Sequence, residues 1–361
     1  MTILILTGRF GAGHCSAARA LRQQLLAAYP AMRVQVVDFF SYAMPGSSSE
    51  AMYHAFRMLV TYGAGIFNTY YRMSDLLADD HPAPLERPMR EAMSALLREF
   101  HPDAVVATHP LCARLTAHCR RQGGASVPLI TCVTDFSQHA EWIYPETDAY
   151  LVGSPELRRQ LAGRGVDPAR IFVTGIPVRP EFKQLVRRPV SGSRQLLVMG
   201  GGLGLVPWGE GFYKKLAAQS DIHVTVLTGG NQRLLEHLSG RYPNITAVGY
   251  TERVFDYMAQ AELLLSKPGG ITVFESISAE LPMLLWTPTL AQERENARFL
   301  IQAGLARMAG SSDGQCVESV CQLIRDTVSL ERISRRMRRR KAQLEEESFV
   351  HLVSSLGRQV S

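Results

Sequence analysis

Residues 3–6 form an unbroken apolar run that ends in a glycine cluster. A run without polar alternation fits a strand covered on both faces of a parallel sheet. Residues 15–28 follow with the three- and four-residue apolar spacing of an amphipathic helix. Further strands are predicted at 34–39, 104–108 and 129–133, with a helix over 88–100 among the stretches between them. A strand–helix–strand series of this kind predicts a doubly wound α/β domain. The pattern then restarts at 195–199, again running into glycines, and continues with strands at 223–227, 245–248, 262–266 and 283–286. The chain therefore reads as two α/β halves, each opening on a strand and a glycine-rich loop. The expected first domain is 1–176. Residues 177–194, rich in Pro, Arg and Ser, are the expected linker, and 195–330 the second domain. Residues 331–361 are expected to be a basic helical segment packing back toward the first domain.

Two stretches stand out from this pattern. Residues 39–74 are rich in Phe, Tyr and Met around a Pro-Gly-Ser turn. They fit one or two amphipathic core helices, or an apolar acceptor groove or membrane-facing surface. Residues 332–341 are strongly basic. They fit a solvated helix face or an electrostatic contact with an anionic membrane surface.

Composition narrows the class without choosing a function. The 361 residues are 46% apolar and 20% charged, which is globular and excludes disorder as the main state. The balance of 39 Lys+Arg against 33 Asp+Glu gives a net charge of +6. Such a mild excess suits anionic small molecules, anionic lipid or nucleic acid alike. The six cysteines form no CxxC pair, as expected of reduced cytosolic thiols. No apolar run approaches the roughly 18–20 residues of a membrane span. The start lacks a basic n-region and reads as a strand, not a signal peptide. Any membrane role is thus expected to be peripheral, on the cytoplasmic side.

Five constellations can carry chemistry. Residues 8–14 (GRFGAGH) follow the first strand, where small residues let backbone N–H groups approach an anion or sugar. The spacing is GxxGxG, not the dinucleotide GxGxxG, yet Asp38 ends the second strand as a ribose-binding acid would. Residues 134–142 (TDFSQHAEW) follow another strand; Asp135 and His139 can orient or deprotonate an acceptor hydroxyl, or cap and pack a turn. Residues 200–204 hold four glycines in five positions, a pattern suited to close approach of a phosphate. Residues 266–275 (SKPGGITVFE) turn from a strand into a helix whose N-terminus favours a diphosphate. There Glu275 can take two ribose hydroxyls, or Thr272 and Glu275 can form a capping box. Residues 292–297 (QERENA) suit a polyhydroxylated sugar or a solvated helix start.

Taken in order, GxGH (11–14), TDFxxHxxW (134–142), TGIPVRPEF (174–182), GGG (200–202), GYxxR (249–253), SKPGGIT (266–272) and QExxNA (292–297) resemble one family. This is the glycosyltransferase family 28 group of processive diacylglycerol glucosyltransferases and monogalactosyldiacylglycerol synthases. The lipid II-forming N-acetylglucosaminyltransferase is a more distant likeness. The resemblance runs from residue 3 to about 310 and implies the GT-B fold, two Rossmann-like domains facing a cleft. It implies a lipid acceptor on the first domain and a UDP-sugar on the second. It puts uracil near Gly249 and Tyr250, and ribose on Glu275. The diphosphate falls to Gly201, Gly202, Gly270 and Thr272, with Gly13, Lys267 and Gly269 also on the donor side. The sugar falls to Gln292, Glu293 and Asn296, and His139 and Trp142 belong to the acceptor side. Inverting transfer would then use Asp135 or His14 as base. No metal or other cofactor is expected, since the Asp79-Asp80 pair falls in a Pro-rich loop rather than at a strand end. Nucleic acid is not an expected partner. A nicotinamide oxidoreductase, a UDP-sugar 2-epimerase, a transferase using UDP-N-acetylglucosamine on another acceptor, and a non-catalytic UDP-sugar sensor are the competing readings.

Overall fold

The computed structural model describes residues 1–76, 86–124, 126–188, 192–207 and 209–359. They form two compact units, one of Met1–Pro180 with Leu344–Ser361 and one of Glu181–Gln343.

The first unit runs β1 (Thr2–Thr7), α1 (Ala12–Ala28), β2 (Arg33–Asp38), α2 (Phe39–Ala43), α3 (Ser47–Tyr62), α4 (Ala64–Leu76) and α5 (Glu86–Phe100). It continues with β3 (Ala104–Ala107), α6 (Pro110–Arg121), β4 (Leu129–Cys132), β5 (Ala149–Leu151), α7 (Pro155–Gly163) and β6 (Ile171–Phe172). All strands are parallel, in the order β2-β1-β3-β4-β5-β6. The unbroken apolar run of β1 has a direct cause. Leu4 and Leu6 face one core with Phe39, Met93 and Val105, while Ile3 and Ile5 face another with Leu21, Leu25 and Val106. Both faces are covered, so no position from Ile3 to Leu6 is left for a polar side chain.

The second unit opens within the short helix α8 (Pro180–Lys183), whose first residue belongs to the first unit. It continues β7 (Arg194–Met199), α9 (Glu210–Ala217), β8 (Ile222–Gly229), α10 (Gln232–Leu238), β9 (Ile245–Gly249), α11 (Val254–Gln260) and β10 (Leu263–Ser266). Then come α12 (Gly270–Ser278), β11 (Met283–Leu285), α13 (Ala291–Gln302), β12 (Ala306–Met308), α14 (Asp313–Arg325) and α15 (Thr327–Lys341). Its parallel sheet has the order β12-β11-β10-β7-β8-β9. The last helix, α16 (Ser348–Gln359), lies in the first unit, where Phe349 and Val353 join the core under α1.

The structure draws several boundaries differently from the sequence. The short strands β5, β6 and β12 carry too few residues for a pattern and are not foreseen. Residues 39–74 form three helices. The stretch expected as a linker is packed: Phe182 is fully buried beside Phe255, and Arg187 donates to the carbonyls of Glu280 and Ala261. The expected segment 331–361 is divided, because α15 packs on α12 and α14 while α16 packs on the first unit. Much of the basic run serves the second unit internally. Lys341 donates to the Ser278 carbonyl at the C-terminal end of α12, Arg338 pairs with Glu280, and Arg336 reaches the Gly304 carbonyl. Cations at a helix C-terminus meet its negative dipole end and its unpaired carbonyls.

Each sheet has one point where the chain reverses its direction of travel, between β1 and β3 in the first and between β7 and β10 in the second. Loops leaving the carboxyl ends of the strands diverge at such points and leave a crevice where open α/β sheets bind ligands.

Candidate active site

In the first unit the switch point gathers His14, Thr108, Thr134 and Asp135. His14 is the third residue of α1, Thr108 follows β3, and Thr134 and Asp135 follow β4. His14 Nδ1 lies 2.7 Å from the Thr108 carbonyl oxygen and 2.9 Å from Thr134 Oγ1. A carbonyl only accepts, so Nδ1 carries the proton and Nε2 keeps its lone pair. The Thr108 hydroxyl donates to the carbonyls of Leu6 and His14, fixing the helix start to the sheet. Burial pushes the His14 imidazole down to about 4, partly opposed by its bond to Thr108, so at neutral pH the ring is an uncharged proton acceptor.

Asp135 accepts the Ser137 N–H at 3.0 Å and is bonded by the Trp142 indole. Burial raises its carboxyl to about 6, against the lowering effect of the Ser137 N–H. Trp142 is buried with its ring 6.4 Å from that of His14. The same tryptophan thus touches both candidate bases.

Two residues singled out by sequence are engaged in structure instead. His139 is buried; its Nε2–H donates to the Tyr71 carbonyl at 2.7 Å, and its Nδ1 accepts the Glu141 N–H at 3.2 Å. With both nitrogens engaged and the Tyr71 ring 4.1 Å away, it ties α4 to the loop after β4. Asp38 accepts from Tyr53 (2.5 Å), Arg9 (2.9 Å) and Ser41 (2.6 Å), which holds the 8–10 loop against α2 and α3. A carboxylate occupied in this way is not the ribose acid of a dinucleotide site. Sequence reasoning missed Thr108 and His109, although both stand directly after a strand, at the carboxyl end where ligands bind.

In the second unit the glycine loop 200–204 sits at the switch point. Gly201 and Gly204 have φ of +72° and +62°, a region that favours glycine. A Cβ at Gly204 would overlap the Thr228 carbonyl, and one at Gly229 would come within 2.6 Å of the Gly202 carbonyl oxygen. These glycines let the loops after β7 and β8 meet backbone to backbone, with Gly230 N–H donating to Gly202 at 3.0 Å. Lys267 follows β10, and a Cβ on Gly201 would lie 3.4 Å from its Cε. Lys267 Nζ pairs with Glu293 Oε1 at 2.8 Å.

α12 starts beside this pair. Its N-cap is Gly269, with no side-chain cap, so Thr272 lies inside the first turn. A capping box of Thr272 with Glu275 is therefore excluded, because the capping residue must precede the helix. Gly269 and Gly270 leave the first N–H groups of α12 uncovered by any cap side chain, and Glu275 lies just over one turn further on. Asn296 is buried and donates to the Pro268 carbonyl at 2.8 Å, holding the turn that presents α12. Gln292 Oε1 is buried without a hydrogen-bond partner. Gly249 ends the edge strand β9, and Tyr250 beyond it is 67% exposed. Three strand spacings separate β9 from β10, about 14 Å, a reach that suits an extended nucleoside diphosphate. Gly13 lies in the first unit, in the first turn of α1. Asp79 and Asp80 lie outside the described residues. Among the described residues no helix is long and apolar enough to cross a membrane.

Comparison with known proteins agrees with this arrangement. A family model described as monogalactosyldiacylglycerol (MGDG) synthase matches residues 14–178, and one described as glycosyltransferase family 28 C-terminal domain matches residues 196–354. The chain is 26% identical over 351 residues to a processive diacylglycerol beta-glucosyltransferase of Bacillus subtilis (strain 168), covering 93% of this chain and 90% of that protein. In fold it is similar to MurG of Acinetobacter baumannii, with a TM-score of 0.64 at 14% identity over 99% of this chain and 100% of that one. It is also similar to HepE of Anabaena in complex with UDP-glucose, with a TM-score of 0.57 at 15% identity over 98% of this chain and 100% of that one. Two parallel-sheet units with polar groups gathered at both switch points, and two family models end to end over most of the chain, lead to one conclusion: the protein is a glycosyltransferase and belongs to glycosyltransferase family 28.

Proposed function

We propose that this enzyme moves a hexose from a UDP-sugar to the hydroxyl of a lipid acceptor such as diacylglycerol, inverting the anomeric carbon. The observation that carries the reading is His14: its Nδ1–H is held by the Thr108 carbonyl, so its Nε2 lone pair is available at the switch point of the acceptor unit. The acceptor oxygen bonds to the anomeric carbon as the bond to the diphosphate oxygen breaks. The hydroxyl proton passes to His14 Nε2, and the electron pair leaves with UDP. Negative charge growing on the diphosphate is met by the uncapped N–H groups of α12 and by the Lys267 ammonium. This electrostatic set performs the work that a metal ion performs elsewhere, so the reading requires none. The orphaned Gln292 Oε1 is an acceptor that a sugar hydroxyl would satisfy. The Bacillus subtilis relative supports the choice of a diacylglycerol acceptor and a glucosyl group. On this reading the enzyme meets its lipid acceptor as a peripheral protein at the cytoplasmic face of the membrane.

The test is thermal denaturation in EDTA with UDP, UDP-glucose, UDP-galactose, UDP-N-acetylglucosamine and NAD, followed by incubation with diacylglycerol. A ligand held at 100 times its dissociation constant stabilises the folded state by about 2.7 kcal/mol. The expected result is a raised Tm with UDP and one UDP-sugar, none with NAD, and a glycolipid product with inverted anomeric configuration. No shift with any uridine nucleotide, or no lipid product, overturns the reading.

A further inference from the structure

His109 follows Thr108 at the carboxyl end of β3, facing His14 from the neighbouring strand of the switch point. The two rings are 4.8 Å apart between centroids and inclined at 67°. Phe10 and Phe40 stand against the His109 ring at 5.2 and 5.0 Å, which fixes its plane. His109 Nδ1 accepts the Leu111 N–H at 3.2 Å. An accepting Nδ1 leaves the proton of the neutral ring on Nε2. His14 has the opposite tautomer, with its proton on Nδ1. The pair therefore offers a lone pair from one Nε2 and an N–H from the other. Burial disfavours the charged form of both rings, and each would repel a charge on its neighbour.

We infer that His109 is an acceptor-binding residue whose Nε2–H donates to a second oxygen of the acceptor while the reacting hydroxyl gives its proton to His14 Nε2. This rests on the base assigned to His14 above. Two-point holding aims the hydroxyl, and it selects the acceptor class. An alcohol with a neighbouring ester carbonyl or hydroxyl, as in a glyceride, satisfies both imidazoles. A simple long-chain alcohol leaves the His109 N–H unpaired. Sites that hydrogen-bond a substrate group reject analogues lacking it far more strongly than apolar pockets reject a missing methylene.

The experiment compares 1,2-dioleoylglycerol with oleyl alcohol in the same detergent micelles, using the full chain at saturating donor. The variants are His109→Phe, which keeps a ring against Phe10 and Phe40, His109→Gln, which restores an N–H donor, and His14→Ala. Melting curves and donor affinity are measured on each. Expected is a native preference for the glyceride of at least about tenfold in kcat/KM. His109→Phe should lose most of that preference through the acceptor KM at unchanged donor affinity, and His109→Gln should recover part of it. A folded phenylalanine variant with the native preference overturns the inference, as does a glutamine variant that recovers nothing. If the phenylalanine variant does not fold, the glutamine variant decides by the same ratio: preference retained supports the donor role, and preference lost overturns it. His14→Ala separates the two readings. Retained activity sinks the base, whereas an inactive His14→Ala beside an unaffected His109→Phe sinks the inference about His109 alone.

Discussion

Burial moves the two candidate bases in opposite directions. The Asp135 carboxyl rises to about 6 and the His14 imidazole falls to about 4, because loss of water penalises whichever form is charged. Asp135, raised above its unfolded value, contributes stability that is fully present below the ordinary carboxylate range and is lost as pH rises through about 6. His14, depressed, contributes stability that is present above its ordinary value and is lost as pH falls through about 4. If His14 takes the acceptor proton as proposed, an imidazolium forms there, and an ionised Asp135 bonded to the same Trp142 would offset that charge. We therefore expect kcat/KM to fall on the acid side near pH 6 and that limb to vanish in Asp135→Asn. His14→Ala should lose about two to four orders of magnitude at every pH. A limb that persists in the asparagine variant would remove Asp135 as its source. His14 and Asp135 are legible in the sequence because each stands just beyond an apolar run. The engagement of Asp38 and His139 is not, because their partners Tyr53 and Tyr71 lie 15 and 68 positions away.

Helices α3 and α4 divide their residues by face. The inner face of α4 reaches the loop carrying Asp135, with the Tyr71 hydroxyl donating to Ser137 at 2.8 Å and Asp75 accepting the Ala140 N–H at 2.8 Å. The outer face leaves Tyr62 at 80%, Ile66 at 70% and Leu76 at 83% exposure, with Tyr70 and Met73 also exposed. One face of 39–74 is therefore core, as the first reading expects, and the other exposes the apolar side chains that the membrane-facing reading would need. Ile66→Ser with Tyr70→Ser should weaken cosedimentation with anionic vesicles by more than about tenfold, since burying Ile66 alone is worth about 1.5–3 kcal/mol. UDP affinity and Tm should stay near native values, and unchanged cosedimentation would remove the ridge as the docking element. The basic helix α15 is a weaker candidate for that role than its composition suggests. Its Arg336, Arg338 and Lys341 are bonded within the second unit, much of it to the end of α12.

Across the whole molecule one plan is used twice, a six-stranded parallel sheet with polar groups gathered where its strand order reverses. The chain then returns from the second unit to complete the first. Phe349, 1% exposed, and Val353, fully buried, fill the core formed by Ile3, Leu21 and Leu25. Phe349→Ala should cost about 3–5 kcal/mol, read by denaturant unfolding of the full chain. A loss below about 1 kcal/mol would mean that the first unit holds its core without α16. Most of the strands, the glycine loops and the order of the halves are legible in the residues alone. Strands covered on both faces must be written as continuous apolar runs, and loops that meet backbone to backbone must be written in glycine. Packing in three dimensions settles which polar side chains are engaged and which remain available, which nitrogen of each histidine holds its proton, and which unit receives α16. Those outcomes depend on partners far away in the chain and on exclusion of water, and neither leaves a local mark in the order of residues.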